Sequence, residues 1–163
     1  MSKSKIVGIM ALIVFAMGIF LVGDAVAGER GKVANREVFY MTTFLSLKGP
    51  DIAGHTIHLL DAKAIGFTQK WGTSTVYMNC AMDMIKGEGT SQGYNQHTFP
   101  DGSTTVHKWE GTNKGKGSSF EGTWTYIKGT GKFEGIQGGG TWKSYGMAPD
   151  QWYCDVEGEY TLP

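Results

Sequence analysis

The sequence predicts an all-β domain that closes into a barrel and is preceded by a segment removed on export. Glycine is the first indication, because 22 of the 25 glycines lie in residues 28–163, about twice the usual frequency of ~7%. These glycines separate short segments rich in Thr, Val, Tyr, Trp and Phe, a composition typical of strands joined by tight turns. No window of a dozen residues there has convincing helical periodicity.

The first 27 residues have the three parts of a secretory signal peptide in the expected order. Lys3 and Lys5 provide the positive start, residues 6–22 form an uncharged apolar run, and Ala25-Val26-Ala27 supplies the small residues of a cleavage site. We therefore expect cleavage before Gly28 and a periplasmic or secreted protein. An uncleaved membrane anchor is the alternative, although a run of 17 residues is at the lower limit of a membrane span.

The chain that remains after cleavage, residues 28–163, has the length of one domain and nearly balanced charge. It contains 13 basic and 14 acidic residues, a net charge of −1. Such a chain offers no basic surface to a phosphate backbone or to anionic lipid. We therefore expect no nucleic-acid partner, and no membrane partner once the signal peptide is removed.

Nine segments of this domain are predicted to be strands. They are residues 37–46, 54–61, 64–70, 74–85, 92–99, 104–111, 118–127, 139–146 and 152–161. The segments 54–61 and 64–70 are either two strands or one bent strand. The clearest hairpin has its turn at Pro100-Asp101-Gly102-Ser103, where proline presets one dihedral angle and glycine accepts a positive φ.

Alternation of side chains assigns one apolar face to each of three strands. Those faces comprise Val76, Met78, Cys80, Met82 and Met84 in residues 74–85, Phe120, Gly122, Trp124 and Tyr126 in 118–127, and Trp152, Cys154, Val156 and Tyr160 in 152–161. A sheet of one-sided strands must cover its apolar face. Closure into a barrel does so and also removes exposed edges.

The two cysteines, Cys80 and Cys154, both lie on apolar strand faces. In an oxidising compartment an even pair of cysteines most simply forms one disulfide, and we predict that bond. Two buried free thiols, or a metal-binding pair, are the alternatives.

Two clusters raise the question of a metal site. His97 and His107 flank the predicted hairpin turn, and a transition metal could bridge such a pair together with a carboxylate, but no third ligand is evident. We interpret both histidines as polar residues on the solvent face. The run from Met78 to Met84 places four sulfur side chains on one side of a strand, where thioethers are ordinary core residues. We therefore predict no metal and no cofactor.

Three acidic residues within strands are the catalytic candidates. Asp83, Glu110 and Glu121 are the acids that we expect to point into a cavity, if any acid does. Strand carboxylates usually face water, so the alternative is that these three acids are surface residues without a catalytic role.

The C-terminal half resembles a known group of proteins. The resemblance rests on Gly93-Tyr94, Pro100-Asp101-Gly102, Lys108-Trp109-Glu110-Gly111, Gly122-Thr123-Trp124 and the segment from Gly129 to Thr141, which opens Gly-Thr-Gly-Lys-Phe. These residues resemble small exported bacterial proteins of the allene oxide cyclase-like barrel group, whose barrel plant dirigent proteins share. The resemblance implies an eight-stranded antiparallel barrel with an apolar cavity, often assembled into dimers or trimers.

The function predicted from these features is binding of a small, largely apolar molecule inside the barrel. The expected walls of the site are the aromatic residues Phe120, Trp124, Tyr126, Trp142 and Trp152. One alternative is a cyclase or isomerase that acts on a hydrophobic substrate in the same pocket. The other is a filled barrel with a structural or surface role.

Overall fold

The computed structural model describes residues 28–113 and 119–163, which form a closed barrel of eight antiparallel strands. The strands are β1 (Arg30–Lys48), β2 (His55–Thr68), β3 (Gly72–Ile85), β4 (Glu88–Thr98), β5 (Thr104–Asn113), β6 (Phe120–Gly129), β7 (Gln137–Ala148) and β8 (Gln151–Thr161). Each strand pairs with the next, and β8 returns to β1. The all-β barrel is confirmed. The predicted signal peptide lies outside the described residues, and within them no helix is long and apolar enough to cross a membrane.

Most strands begin and end close to their predicted positions. Residues 54–61 and 64–70 belong to one continuous strand, β2, so the nine predicted segments form eight strands. The largest difference is β1, which begins at Arg30 instead of residue 37. Its first residues are polar and lack a strand-forming composition. They are extended because they complete the barrel against β8, in a register that starts at Arg30 opposite Thr161.

The hairpin turn between β4 and β5 has the predicted chemistry. Gly102 has a φ of +80°, a left-handed conformation that glycine adopts without strain. The Gly102 backbone N–H donates to the Phe99 carbonyl at 2.9 Å, and the Ser103 N–H donates to the Asp101 carboxylate at 3.1 Å. The turn therefore holds the two strands in one register.

Alternate residues of each strand point into the barrel, as the sequence pattern predicts. In β3, Val76, Met78 and Cys80 are buried, whereas Tyr77 between them is 45% exposed. The apolar faces predicted for β6 and β8 also point inward, with Trp124 and Val156 buried. The barrel interior therefore contains the core.

An aromatic plug closes one end of the barrel. It consists of Trp71, Phe99, Phe133 and Tyr160, and Phe133 is fully buried at the end of a 3-10 turn over Gly131–Phe133. The Phe133 ring lies 4.7 Å from Phe99 and 5.0 Å from Trp71, and Trp71 lies 4.7 Å from Tyr160. The turns between β2 and β3, β4 and β5, and β6 and β7 gather at this end, so the opposite end is the open one.

The hairpin between β1 and β2 extends past the rest of the wall. Beyond Met41, whose backbone N–H donates to the Asp150 carbonyl at 2.9 Å, β8 has no further residues to pair with β1. Residues 42–48 therefore pair with β2 alone among the described strands, and they are exposed. We call residues 42–59 the β1–β2 tip.

Candidate functional site

A cavity of about 410 Å³ lies between the plugged end and the open end of the barrel. Four of the five predicted aromatic walls line it, namely Phe120, Trp124, Trp142 and Trp152. The fifth, Tyr126, is buried one level deeper, where its ring lies 4.9 Å from Trp124 and 4.6 Å from His107. The cavity is mostly apolar, and Met78, Met82 and both cysteines contribute sulfur to its wall.

Three tryptophan rings lie against the barrel wall over glycines of the adjacent strand or of the strand after it. A Cβ atom at Gly93 would lie 2.6 Å from Trp109 Cζ2, and one at Gly158 would lie 2.8 Å from Trp124 Cζ2. A Cβ at Gly111 would overlap the Trp142 ring in the same way. Because glycine has no side chain, each indole lies close to the wall and leaves the bore open.

Hydrogen bonds fix the same three rings. The indole N–H of Trp109 donates to Asn95 Oδ1 at 2.9 Å, and that of Trp124 donates to the Glu157 carbonyl at 3.2 Å. The indole N–H of Trp142 points to the carbonyls of Glu110 and Thr123, each at 3.2 Å. The aromatic walls are therefore anchored before any ligand enters.

A buried carboxylate lies at the inner end of the cavity. Glu37 on β1 is only 1% exposed, yet it contributes to the cavity lining. Asn35 Nδ2 donates to one of its oxygens at 2.8 Å, and Asn95 Nδ2 donates to the other at 3.1 Å. His97 Nε2 lies 3.2 Å from Glu37 Oε1, within ion-pair distance but outside hydrogen-bond geometry. These groups form a polar layer beneath an apolar chamber.

The histidine pair belongs to this layer, so its predicted place on the solvent face is wrong. His97 and His107 are 2% and 6% exposed, and their ring centroids are 4.7 Å apart. The pairing of β4 with β5 sets His97 opposite Thr105 and His107 opposite Asn95, all facing inward. Burial, and next the neighbouring His97, hold the pKa of His107 well below its usual value. Among the residues described, no group of three or more His, Cys, Asp or Glu side chains has the arrangement of a metal site.

The three predicted acids lie on the outer surface, so the expectation that they point into the cavity is wrong. Asp83 is 62% exposed and accepts a hydrogen bond from His55, and Glu121 is 63% exposed opposite Lys143. Glu110 is also exposed. Their strand neighbours, such as Met84 and Trp109, occupy the inner face, and alternation then directs these acids outward.

Sequence reasoning missed Glu37, the acid that does reach the cavity. The sequence contained a signal, because Glu37 has the same parity as the apolar residues Val33 and Phe39. The structure buries all three of these residues, together with Asn35. A charged residue at the inward parity of a strand is unusual, since charges are seldom fully buried unless paired. The signal was overlooked because the predicted strand began only at residue 37.

The predicted disulfide is also wrong, because Cys80 and Cys154 are both free and buried. Cys80 is on β3 and Cys154 on β8, and strands β1 and β2 lie between them around the wall. Both thiols line the cavity. Burial raises the pKa of Cys80 to about 12, and burial together with the charge of Glu37 raises the pKa of Cys154 well above its ordinary value.

Solved structures reveal the fold group of this barrel, whereas no protein-family profile and no curated protein sequence matches the chain. The structure of the pterocarpan synthase dirigent protein GePTS1 matches with a TM-score of 0.54 and 13% identity, over 93% of this chain and 99% of that one. The pterocarpan synthase dirigent protein PsPTS1 matches with a TM-score of 0.53 and 11% identity, over 82% of this chain and 96% of that one. The fold is a dirigent-like barrel. The predicted resemblance is confirmed at the level of the fold.

The mouth of this dirigent-like barrel is bordered by the β1–β2 tip. Phe44 lines the cavity and stacks on His58, with ring centroids 5.1 Å apart. His55 lies between two carboxylates, with Nδ1 2.5 Å from Asp51 and Nε2 2.8 Å from Asp83. Hydrogen bonds to Asp51 and then Asp83 raise the pKa of His55. The loop of the tip is therefore tied to the end of β3 beside the opening.

Proposed function

We propose that this barrel binds a small, largely apolar molecule in its cavity. The observation that carries the proposal is a chamber of about 410 Å³ walled by anchored aromatic rings. Its volume lies within the roughly 300–1,000 Å³ of typical small-molecule sites, and such sites combine apolar walls with a few polar groups. The polar layer around Glu37 provides those groups at the inner end of the chamber.

The open bore weighs against a purely structural role. An eight-stranded barrel is just narrow enough for its own side chains to fill it completely. Here glycines lie beneath the rings of Trp109, Trp124 and Trp142, so these three large rings lie against the wall and not across the axis of the barrel. A barrel that served only as a scaffold would gain stability from filling that space, since close packing stabilises a core.

A fluorescence titration tests the proposal. The hydrophobic probe N-phenyl-1-naphthylamine, added to the protein of residues 28–163, should bind saturably at one site per chain and quench tryptophan emission. Trp124→Ala should weaken binding by more than about 1 kcal/mol, roughly fivefold, because it removes a desolvated aromatic contact. Tyr94→Ala is the matched control, because Tyr94 is 49% exposed on the outer face. Equal losses in both variants, or no saturable binding, would reject the proposal.

A second candidate function, proton-transfer catalysis as in an isomerase or cyclase, is favoured by Glu37. A buried carboxylate that borders the substrate space is positioned to remove a proton from a bound molecule. With 2-tetralone in D₂O, the carboxylate would take an α-proton, the ketone would become its enolate, and a solvent-derived deuteron would return. Proton NMR should show loss of the α-signal faster than in buffer, and Glu37→Gln should abolish the acceleration. Binding of 2-tetralone without accelerated exchange would support a carrier instead.

Export is also part of the proposal, on the strength of the signal-like residues 1–27. The protein recovered from the exported fraction should have an intact mass that corresponds to a start at Gly28. A membrane-associated species that retains Met1 would contradict export by cleavage.

A further inference from the structure

The cavity wall contains a buried polar group that has no partner. Four buried side-chain atoms of the described residues make no hydrogen bond, namely Asn35 Oδ1, His58 Nδ1, Ser91 Oγ and His97 Nε2. Of these four residues, Ser91 is the one that lines the cavity. Ser91 is 4% exposed and lies on β4. A buried hydroxyl without a partner is uncommon in folded proteins, so this one requires an explanation.

The other buried polar side chains of the wall already have partners. Glu37 accepts hydrogen bonds on both carboxylate oxygens, and Asn95 accepts one from Trp109. His107 contacts Thr105 at 3.3 Å, and Ser144, which lies opposite Cys154 in the β7–β8 pair, is not among the residues with an unpartnered buried atom. Among the described buried polar side chains that line the cavity, Ser91 is therefore the one whose polar atom has no hydrogen-bond partner.

The strand register explains why the protein itself cannot supply the partner. Ser91 is paired with Met82 on β3 and with Gly111 on β5, and Gly111 is paired with Gly122 on β6. A thioether is a weak acceptor, and glycine has no side chain. The space beside Ser91 is bounded by the Trp142 ring, which covers Gly111. The Ser91 oxygen is itself closed off from solvent, so a ligand could pair with it only after rotation about the single χ1 bond of serine.

We propose that Ser91 is the polar anchor of the ligand, and that the ligand is a neutral, ring-containing apolar molecule with a hydrogen-bonding oxygen. The inference rests on the proposed function and narrows its ligand class. Its ring would lie against Trp142, and its oxygen would pair with the Ser91 hydroxyl, which can donate as well as accept. A carboxylate ligand is disfavoured, because Glu37 faces the same low-dielectric chamber and like charges repel there.

Two probes that differ by one oxygen test the assignment. Naphthalene and 2-naphthol are titrated against the wild type, Ser91→Ala and Ser144→Ala, with tryptophan quenching as the readout. The wild type should bind 2-naphthol more tightly than naphthalene. Ser91→Ala should reduce that preference by about two- to tenfold, the effect of one net hydrogen bond, and should leave naphthalene affinity unchanged. Ser144→Ala is the matched control, because Ser144 is a buried cavity serine that is not among the residues with an unpartnered buried atom, and it should keep the preference.

The outcomes separate the anchor from the binding function. Ser91→Ala should unfold at the same denaturant concentration as the wild type or a higher one, because it breaks no hydrogen bond within the protein. An unchanged preference for 2-naphthol in Ser91→Ala would overturn the anchor while naphthalene binding upheld the proposed function. Equal loss of both probes in Ser91→Ala would also overturn it, since that result indicates packing. Failure of both probes to bind the wild type would reject both proposals.

Discussion

Individual side chains in the polar layer have properties that their position in the barrel imposes. Glu37, His97 and His107 are ordinary hydrophilic residues in the sequence, and the closed wall removes all three from water. Glu37 retains two amide donors and a nearby imidazole, which offset part of the cost of burying a carboxylate. Among the described residues, the hydrogen-bond partner of His107 is Thr105, and burial lowers the pKa of the His107 imidazole.

Stability should fall in mild acid because of His107. Its pKa is lowered in the folded state, so below about pH 6.5 the unfolded chain binds a proton that the folded barrel does not. The free energy of unfolding should therefore decrease by up to about 1.4 kcal/mol per pH unit from pH 6.5 to 5. Urea unfolding measures this slope, and His107→Gln should flatten it.

His55→Gln is the control for that experiment. The pKa of His55 is raised in the folded state. The stabilisation that His55 gives the folded protein is therefore fully present below the pKa it has in the unfolded chain, and it is lost as pH rises through the higher pKa of the folded state. The slope between pH 5 and 6 should therefore persist in His55→Gln. An equal slope in the wild type and in His107→Gln would show that His107 is not the group responsible.

The cysteines should behave as two shielded thiols. Because the pKa of Cys80 is about 12, its alkylation by iodoacetamide in the folded protein at pH 8 should be far slower than that of an exposed cysteine. Unfolding without reductant should release two reactive thiols per chain. Mass spectrometry of the alkylated chain counts them, and a count of zero would restore the disulfide.

At the scale of elements, the 3-10 turn over Gly131–Phe133 supplies the aromatic residue that plugs one end of the barrel. Phe133→Ala should lower the free energy of unfolding by about 3–5 kcal/mol, because it leaves a cavity among Trp71 and Phe99. Tyr94→Ala, at a position that is 49% exposed on the outer face of β4, should change it by about 0.5 kcal/mol. Urea denaturation compares the two, and similar effects would contradict the plug.

The elements also show which features a sequence can predict. Alternation in β3, β6 and β8 predicted the inward faces correctly, because a strand exposes every second residue to the same side. The polar start of β1 was not predictable in that way, since its extended conformation comes from pairing with β8 at the far end of the chain. The register of that pairing is a non-local property.

The residues of the candidate site also fall into two groups, those that alternation along a strand predicts and those whose role depends on which strands are neighbours. The aromatic walls were predictable from parity, whereas Glu37 and Ser91 were not identified, because their importance depends on what the neighbouring strands place opposite them. The disulfide prediction failed for a related reason. Parity placed Cys80 and Cys154 on inner faces, but strand order determines which inner residues are neighbours, and β3 adjoins β2 and β4.

At the scale of the whole molecule, the outer surface is apolar over the first two strands. Eight large hydrophobic side chains that are at least 40% exposed lie there, namely Val38, Tyr40, Leu45, Leu47, Ile57, Leu59, Ile65 and Phe67. The β1–β2 tip also leaves one edge of residues 42–48 unpaired by the described strands, and residues 42–47 carry no charge. A second copy of the chain can pair with this edge without charge repulsion.

We therefore expect a homo-oligomer that buries this surface. Sedimentation equilibrium should give a mass above that of one chain, and Leu59→Lys should shift the equilibrium toward monomer. Ile127→Lys is the matched control, because Ile127 is 53% exposed on β6, away from this surface. A monomeric wild type at high protein concentration would contradict the expectation.

The location of a bound ligand tests the central claim, that the barrel interior is the functional site, most directly. Crystals of residues 28–163 saturated with 2-bromonaphthalene would show the bromine through its anomalous scattering. We predict one strong peak in the chamber between Trp124, Trp142 and Trp152. A bromine found only on the outer face of β1 and β2, with the chamber empty of probe, would contradict the account.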